Sequence, residues 1–342
     1  MSFSARLLDS WYASRPKWFF LGLAPFTGLF ILVSAVRRFA FRCGWLSSKK
    51  LPVPVVVVGN ITVGGAGKTP LTRALVQALR AQGWTPGIIS RGYGRAARDV
   101  CLVAADSTPD AVGDEPLLLA REGAPVAVGA DRVQAGQLLL RQHPEVDVIL
   151  TDDGLQHYRL QRDIEIVVVE SARGLGNGWR LPLGPLRESR HRLAQVNAVV
   201  IHGDGAFTAA DVPATTPCFQ MELVPSDFYS LHQPSLTCQA EQLRSQDCAA
   251  VAGIAHPERF FNTLKTLGLQ PRCFSFPDHH AFQASDLPAA QAVLVTEKDA
   301  VKLQTVKNVT LWVLPVSAAV RPDLGLWLDH TLRTLKHGQQ TS

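Results

Sequence analysis

Short unbroken runs of apolar, mostly β-branched residues recur along the first two thirds of the chain, separated by stretches with helical spacing. They predict strands at residues 52–59, 86–90, 125–128, 146–151, 164–169 and 198–202. Strands that are buried on both faces read as continuous apolar runs, and helices between them supply the covering layers. The pattern therefore predicts an α/β fold with a parallel sheet covered by helices.

A second alternating set follows a stretch rich in Pro and Thr at residues 214–217. Its strands are predicted at residues 249–252, 272–276 and 292–296. Strand-like runs at residues 218–223 and 309–314 bound this set and are expected to carry the chain into a smaller second α/β domain and back. The expected domains are a nucleotide-binding domain over residues 51–217, a second domain over residues 218–314, and a C-terminal helix in residues 315–342 that returns to the first.

The N-terminal segment, residues 1–50, has a different pattern. Residues 18–36 carry no charge and are flanked by Arg15 and Lys17 on one side and by Arg37, Arg38 and Arg42 on the other. A spanning helix needs about 20 apolar residues, but prolines and glycines weaken this one. A spanning helix, a helix lying in the membrane interface and a buried core helix all stay open. No small-residue cleavage site follows, which disfavours a removed signal peptide.

Charge is unevenly distributed along the 342 residues. Residues 1–50 hold eight Lys or Arg and one acid, whereas the remainder holds 26 basic and 28 acidic residues. The basic pI of about 9.0 therefore originates in the N-terminal segment, where cations meet anionic headgroups. No nucleic-acid binding is predicted for the globular part. The six cysteines have no paired spacing typical of zinc or redox motifs, which fits a reducing compartment.

Residues 62–69 read Thr-Val-Gly-Gly-Ala-Gly-Lys-Thr and stand between a predicted strand and a helical pattern at residues 70–80. A glycine-rich turn in this place directs backbone N–H groups at an anion near the positive end of the helix. Lys68 can then reach the β- and γ-phosphates of a nucleotide, and the hydroxyl of Thr69 is placed to bind Mg²⁺. The general motif has glycine where this chain has Thr62, so Gly64 and Gly65 are expected to supply the flexibility.

Two carboxylates, Asp152 and Asp153, end the buried run at residues 146–151. Ligands of open α/β sheets collect at the carboxyl ends of strands, so these acids are expected to face the nucleotide. One of them can hold Mg²⁺ directly or through water. Such a pair before glycine is also typical of a turn or a cap, and only the neighbouring phosphate cradle favours the metal.

A second acidic pair, Asp114 and Glu115, precedes Pro116. By itself it is typical of the start of a helix, where acids and proline are favoured. A catalytic role is the alternative, because a histidine-bearing loop, Pro277-Asp-His-His280, follows a strand of the second domain. Across a cleft, His279 is placed to share a proton with Asp114, although sequence does not separate His279 from His280. His157 lies close to the metal acids, with solvated surface as its other interpretation.

Seven short motifs follow one another along nearly the whole chain. They are Val58-Gly-Asn-Ile-Thr-Val-Gly-Gly-Ala-Gly-Lys-Thr-Pro70, Ser90-Arg-Gly-Tyr-Gly94, Gly113-Asp-Glu-Pro116, Asp152-Asp-Gly-Leu-Gln-His157, Leu183-Gly-Pro-Leu-Arg-Glu188, Pro277-Asp-His279 and Thr296-Glu-Lys-Asp299. Several are weak alone, but in this order they are specific. The chain resembles the tetraacyldisaccharide 4'-kinases of lipid A synthesis, whose pattern also has threonine at the position of Thr62.

The resemblance implies a P-loop kinase-type parallel sheet with a smaller second α/β domain and an N-terminal membrane-associated helix. It implies transfer of the γ-phosphoryl group of ATP to the 4'-hydroxyl of tetraacyldisaccharide 1-phosphate, giving lipid IVA, with Mg²⁺ as cofactor. The implied location is the cytoplasmic face of the bacterial inner membrane. The implied partners are the lipid A disaccharide precursor and membrane lipids, and no obligate protein partner is inferred.

The resemblance also implies roles for individual residues. ATP is bound by Thr62, Val63, Gly64, Gly65, Ala66, Gly67, Lys68 and Thr69, and Mg²⁺ by Thr69, Glu115 and Asp152. The catalytic group is Asp114, which accepts the hydroxyl proton with help from His279, together with Asp153 and Lys68. The disaccharide and its 1-phosphate are contacted by Arg91, Tyr93, Arg132, His157 and Arg187.

Two other classes of protein share part of this pattern. A membrane-associated regulatory GTPase or ATPase has the same phosphate cradle, but a guanine site needs Asn/Thr-Lys-x-Asp, and in Thr296-Glu-Lys-Asp299 the Lys and Asp are adjacent. A non-catalytic scaffold with a degenerate nucleotide site is disfavoured because Lys68, Thr69 and the acids are all present.

Overall fold

The computed structural model describes residues 3–13, 16–95, 97–307 and 309–340. Arg15, expected as a flanking cation, lies outside the described residues, as do both ends of the chain. The strands are β1 (Val55–Gly59), β2 (Pro86–Ser90), β3 (Cys101–Leu102), β4 (Val126–Val128), β5 (Val148–Asp152), β6 (Ile164–Glu170), β7 (Ala198–His202), β8 (Cys218–Pro225), β9 (Phe228–Ser230), β10 (Thr237–Cys238), β11 (Cys248–Ala252), β12 (Arg272–Ser275), β13 (Ala292–Thr296), β14 (Leu311–Leu314) and β15 (Val316–Arg321).

Helices connect these strands and cover the sheets. They are α1 (Phe3–Trp11), α2 (Ala24–Arg42), α3 (Lys68–Ala81), α4 (Pro109–Val112), α5 (Asp114–Ala120), α6 (Arg132–Gln142), α7 (Ala240–Leu243), α8 (Pro257–Thr266), α9 (Glu297–Ala300) and α10 (Leu324–Gln340). A 3₁₀ turn over Trp18–Leu23 leads directly into α2.

The first unit is built on a sheet with the order β15-β8-β7-β6-β1-β5-β2-β4-β3. The run from β8 to β4 is parallel, and β3 and β15 are antiparallel edge strands. Along β1, Val56 and Val58 enter one core with leucines of α3 and α10, while Val55 and Val57 enter the core on the other face, under α6. The predicted parallel sheet covered by helices is therefore confirmed.

The second unit is built on a smaller sheet with the order β10-β9-β14-β13-β11-β12. Its strands β12, β11, β13 and β14 are parallel, and their residues also divide between two cores. This gives the second α/β unit the same layered plan as the first.

The expected boundary between residues 217 and 218 is wrong. Strand β8 pairs in parallel with β7 and places Phe219 and Met221 in the core of the large sheet. The chain leaves the large sheet after β8 and returns as β15, which pairs antiparallel with β8. Residues 315–342 thus begin with a strand before α10, and the run at residues 309–314 forms β14 inside the small sheet.

Helix α2 and the 3₁₀ turn before it present most of their apolar side chains outward. Phe26, Leu29, Leu32 and Val36 are each more than half exposed. The segment Trp18–Arg42 is long and apolar enough to cross a membrane by length and composition alone, and 11% of its most apolar window is buried. The interpretation as a buried core helix is therefore wrong.

Candidate active site

The phosphate cradle follows β1 and ends where α3 begins at Lys68. Its backbone is left-handed at Gly64 (φ +115°) and Gly67 (φ +95°). The required flexibility therefore lies at Gly64 and Gly67, and not at Gly65 as expected. Thr62 forms an isolated bridge with Leu186, so this position belongs to a backbone pairing rather than to the turn.

Gly67 is required by its surroundings as well as by its backbone. A Cβ atom there would come within 2.8 Å of His202 Nδ1 and 2.9 Å of Met221. His202, at the end of β7, donates from Nδ1 to the carbonyl oxygen of Ala66 at 3.0 Å. Burial lowers the pKa of His202, which keeps the ring neutral beside the cradle. The end of β7 and the strand β8 thus fix the floor of the turn.

Lys68 and Thr69, the first residues of α3, each contact one of the acids at the end of β5. Thr69 Oγ1 donates to Asp152 Oδ2 at 3.0 Å, and Lys68 Nζ lies 3.8 Å from Asp153 Oδ1. These contacts follow from the sheet, because β1 and β5 are parallel neighbours with Val58 opposite Asp152. The arrangement gathers two hydrogen-bonding side chains and two carboxylates at the edge where an anion meets the cradle.

The two acids have opposite electrostatics. Burial, reinforced by the nearby carboxylate of Glu115, raises the pKa of Asp152 to about 7. Burial also opposes ionisation of Asp153, but Lys68 and Arg187 outweigh it and hold the pKa of Asp153 below its ordinary value. Asp153 has a left-handed backbone (φ +52°), which turns the chain sharply after β5.

Asp152, Glu115 and Thr69 are the residues that fit a divalent cation. Asp152 Oδ1 is buried and has no hydrogen-bond partner in the described part of the chain. The described residues contain no cluster of three His, Cys, Asp or Glu side chains able to hold a metal. Mg²⁺ usually takes one or two protein carboxylates together with phosphate oxygens and water, so this sparse oxygen set suits it.

Asp114 begins α5 and contacts a histidine of the second unit. His279 Nδ1 donates to Asp114 Oδ2 at 3.0 Å, and Asp114 is 4% exposed. Burial opposes ionisation of Asp114, but His279 and Lys298 hold its pKa below the ordinary value. The same hydrogen bond raises the pKa of His279. The helix-start interpretation of Asp114 is also correct, so the residue is both a helix start and half of an acid–histidine pair.

His280 is directed elsewhere. Its Nε2 lies 3.0 Å from Asp286 Oδ2, and its ring stacks on Phe276 at 4.8 Å between centroids. His279 has a left-handed backbone (φ +62°), and its ring lies 5.2 Å from that of Tyr93. The geometry therefore selects His279 over His280 as the neighbour of Asp114.

Lys298, in α9, was not singled out from the sequence. Its Nζ lies 3.2 Å from Glu115, 3.4 Å from Asp278 and 3.9 Å from Asp114. Burial alone would lower its pKa, but these carboxylates outweigh burial and raise it. The signal was present in Thr296-Glu-Lys-Asp299, which is one of the seven motifs of the resemblance, but the motif by itself assigned no role to Lys298. Asp299 is fully buried and accepts a hydrogen bond from Gly253 N at 3.1 Å, so it belongs to the interior of the second unit.

Arg73 makes a further contact between the units that the sequence did not indicate. From α3 it donates to Glu297 of α9 at 2.8 Å and also pairs with Glu122 of the first unit. Glu297 Oε2 in turn accepts from Val316 N, where β15 begins. An ion pair thus joins α3, which follows the phosphate cradle, to α9, which carries Lys298.

The expected acceptor residues divide into two positions. Arg187 Nη1 lies 3.3 Å from Asp153 Oδ2, and buried Arg132 donates to the carbonyl oxygen of Gly129 at 3.0 Å. Burial lowers the pKa of Arg132 to about 10 and that of His157 to about 4.

Arg91 and Tyr93 both follow β2, but Arg91 lies close enough to Arg132 to lower its pKa, and only Tyr93 lies in the second position. Both are exposed, and Tyr93 lines a cavity of about 830 Å³ together with Asp114 and His279. Arg187, Arg132 and His157 therefore stand near Asp153, whereas Tyr93 stands beside the acid–histidine pair.

Comparison with known proteins places this site in a family. Residues 19–333 match the family model described as tetraacyldisaccharide-1-P 4'-kinase. A protein of Chromobacterium violaceum named tetraacyldisaccharide 4'-kinase is 54% identical over 98% of this chain and 100% of its own length. One of the same name from Neisseria meningitidis serogroup B is 46% identical over 93% of each chain.

A solved structure agrees with the sequence matches. The crystal structure of LpxK from Aquifex aeolicus, described as an "apo" form in complex with ATP, is 28% identical and superposes with a TM-score of 0.77. The match covers 91% of this chain and 98% of that one. The chain belongs to the tetraacyldisaccharide-1-P 4'-kinase family.

Proposed function

We propose that this protein transfers the γ-phosphoryl group of ATP to the 4'-hydroxyl of tetraacyldisaccharide 1-phosphate. The observation that carries the proposal is the meeting of a phosphate cradle with an acid–histidine pair whose carboxylate is buried. Glu115, adjacent to Asp114, lies close enough to Asp152 to oppose its ionisation, so the two groups belong to one site. Family membership supports the identity of both substrates.

In this proposal the triphosphate rests on residues 62–69. Backbone N–H groups of the turn and the N-terminus of α3 neutralise its negative charge. Lys68 contacts Asp153 at 3.8 Å without competing hydrogen bonds among the described residues, so it is free to follow the β- and γ-phosphates. Asp153 lies between Lys68 and Arg187 and contacts both, so it orients the two cations toward the phosphates.

Magnesium fits the side-chain oxygen atoms at the carboxyl end of β5 and the starts of α3 and α5. The residues that would hold it are Thr69, Asp152 and Glu115. Asp152 Oδ1, which has no hydrogen-bond partner among the described residues, is the clearest candidate for a metal-ligating oxygen. Bound there, Mg²⁺ would supply charge neutralisation to the phosphate oxygens. A pKa of about 7 for Asp152 without a cation means that a nearby positive charge would favour its ionised form.

The acceptor hydroxyl is proposed to lie against Asp114. With its pKa held low, Asp114 is ionised at neutral pH and can accept the hydroxyl proton, and the hydrogen bond that His279 Nδ1 donates orients its carboxylate. Lys298 lies close to both Asp114 and Glu115 and helps to hold the pKa of Asp114 low. Arg91, Tyr93, Arg132, His157 and Arg187 are proposed to orient the disaccharide and its phosphate.

The protein is proposed to lie on the cytoplasmic face of the bacterial inner membrane, with α2 in the plane of the interface. Contacts with the globular body continue along this segment: Phe20 is 3% exposed, Thr27 Oγ1 accepts from Leu183 N at 3.2 Å, and Arg38 lies 3.7 Å from Glu188. A helix attached at such intervals has its opposite, apolar face available to lipid. ATP and a membrane-embedded acceptor then meet on the same side.

Transfer of label from γ-labelled ATP to the lipid acceptor in detergent tests the function. We expect labelled lipid with the intact acceptor and none with an acceptor whose 4'-hydroxyl is blocked. ATP hydrolysis that proceeds without transfer to any hydroxyl of the acceptor would contradict the proposal.

Replacing three outward residues of α2 tests the membrane arrangement. Leu29→Gln, Leu32→Gln and Val36→Gln together should release most of the protein from membranes, because each apolar side chain contributes about 1.5–3 kcal/mol when buried. Detergent-solubilised turnover should be unchanged.

The control removes three exposed apolar residues elsewhere, Val224, Leu236 and Leu326, by the same substitution. Sedimentation with vesicles measures both variants. Equal release by both would show that α2 has no special role.

A further inference from the structure

A cavity of about 730 Å³ lies between the C-terminal half of α2 and the globular body, separate from the phosphate cradle. It is lined by one carboxylate, that of Glu165, and by four guanidinium groups. The guanidinium groups belong to Arg38, Arg42, Arg162 and Arg192. A cavity of this size accommodates a molecule much larger than a single ion. Nothing in the proposed kinase reaction uses it.

The positive charges exceed the carboxylates that contact them. Glu165 pairs with Arg162 at 3.3 Å and with Arg192, and Glu188 lies 3.3 Å from Arg192 and 3.7 Å from Arg38. Four arginines against two glutamates leave a surplus of two positive charges. Arginine presents five N–H donors, so a guanidinium already paired with one carboxylate can still bind an anion.

The two arginines contributed by α2 are the least satisfied. The 3.7 Å separation of Arg38 from Glu188 is too long for a hydrogen bond, and Arg42 has no ion-pair partner in the described part of the chain. They stand one helical turn apart, so both side chains project from the same face of α2. Each presents a planar guanidinium fork suited to phosphate oxygens.

The cavity is continuous with the apolar surface of the helix. Phe39 lines the cavity and is 53% exposed, and its ring meets that of Trp45, which is 75% exposed, at 5.7 Å. Exposed tryptophan beside arginine is typical of the level of lipid headgroups. One molecule that is anionic at one end and apolar at the other matches this junction.

We propose that this cavity binds the phosphate headgroup of an anionic phospholipid of the bilayer, whose acyl chains lie along the exposed face of α2. The site is distinct from the acceptor site, and it rests on the proposed in-plane position of α2. Binding there stabilises the attachment of α2 to the body and holds the protein at a defined depth. Arg38 and Arg42 donate to the phosphate, while Arg162 and Arg192 supply the charged floor.

A short-chain phosphatidylglycerol, kept monomeric in neutral detergent, is the probe, and phosphatidylcholine of the same chain length is the headgroup control. A monomeric lipid reports on a site and not on the potential of a charged surface. We expect saturable binding of phosphatidylglycerol to the full chain, measured by thermal shift and calorimetry. The substitutions Arg38→Lys and Arg42→Lys together keep the charge but lose the fork, and should weaken binding about tenfold.

The matched control is Lys49→Gln with Lys50→Gln, which removes two charges from the same N-terminal segment outside the cavity. It should leave binding within about twofold of the unmodified chain. Equal weakening by both variants, or no weakening by the arginine pair, would overturn the site. If the double substitution fails to fold, Arg42→Lys alone replaces it, because Arg42 is exposed.

Two further measurements identify the source of the phosphate. Inorganic phosphate that competes as strongly as the lipid would overturn the assignment to a lipid. A raised KM for the disaccharide acceptor in the arginine variant, measured in detergent, would mean that the acceptor binds in the cavity. That result would overturn the proposal of a bilayer phospholipid. Unchanged kcat and KM with weakened phosphatidylglycerol binding would support it, and loss of all phosphoryl transfer by the unmodified chain would contradict the kinase proposal alone.

Discussion

The phosphate cradle and the acid–histidine pair lie in one site but are assembled in different ways. The cradle consists of eight consecutive residues, 62–69, which follow β1 and include the first two residues of α3. Asp114 and His279 are 165 residues apart, and Glu115 and Lys298 are 183 residues apart. The first is one strand–turn–helix element supported by neighbouring strands of its own unit, whereas the second exists only when the two units are in contact.

Substitutions in the cradle and in the acid–histidine pair should reduce activity for different reasons. Substitutions in the cradle change local charge or backbone, and the hydrophobic cores on either side of β1 stay intact. Substitutions in the acid–histidine pair also change the contact between units, which otherwise depends on pairs such as Arg73 with Glu297. Loss of function in the pair should therefore depend on the contact between units more than loss in the cradle, where His256 of the second unit lies beside Gly64 and Gly65.

The largest effect is expected at the cradle. Lys68→Ala should reduce phosphoryl transfer to background, because it removes charge neutralisation at the transferred group and no core packing. Transfer of labelled phosphate to lipid measures the loss, and the melting temperature should stay within about 2 °C of the unmodified value. Lys265→Ala, an exposed lysine of α8, is the control, and turnover near normal in Lys68→Ala would refute the cradle's role.

The acid–histidine pair should give the next largest effect. Asp114→Ala should lower kcat by about 10² to 10⁴ with little change in ATP affinity, and His279→Ala should do the same less severely. Because the two act as one unit, the double variant should lose little more than Asp114→Ala alone. His280→Ala is the matched control and should be nearly silent.

If the losses of kcat multiply in the double variant, Asp114 and His279 act independently and not as one unit. A collapse of ATP affinity in Asp114→Ala would make Asp114 a metal or structural residue. Steady-state kinetics in detergent with both substrates varied distinguishes these outcomes.

Lys298 should have a smaller effect that tests the contact between units directly. Lys298→Met leaves Asp114, Glu115 and Asp278 without their shared cation, and we expect kcat to fall about tenfold while the KM for ATP changes little. Lys298→Arg should restore most of the rate, which a loss of packing alone would not predict. Lys307→Met is the surface control, and an unchanged kcat in Lys298→Met would remove Lys298 from the site.

Thr62 should have the smallest effect. Its backbone pairs with Leu186 and does not supply the left-handed turn, so Thr62→Gly should change the KM for ATP by less than about threefold. Gly67→Ala is the contrasting variant, since its Cβ would meet His202 and Met221, and ATP binding should be severely weakened. Equal effects of the two substitutions would mean that the turn is adaptable.

The same contrast explains what could be predicted from the sequence. The cradle, the position of Asp152 at a strand end and the parallel sheet of the first unit follow from local patterns, because neighbouring parallel strands end at the same edge. Lys298 could not be assigned, since its partners lie in another unit and its motif was informative only once α9 had been placed against α5. The boundary near residue 217 was misplaced because the pairing of β8 with β7 and β15 is a long-range contact that the residues of β8 do not specify.

Asp153 and His279 are the non-glycine residues with left-handed backbones in the described part of the chain. Asparagine adopts that conformation more readily than most residues, whereas β-branched residues rarely adopt it. Natural variation at both positions is therefore restricted by backbone shape as well as by chemistry. Asparagine at either position removes the charge or the ring while keeping the turn that presents the side chain, so the two restrictions can be measured separately.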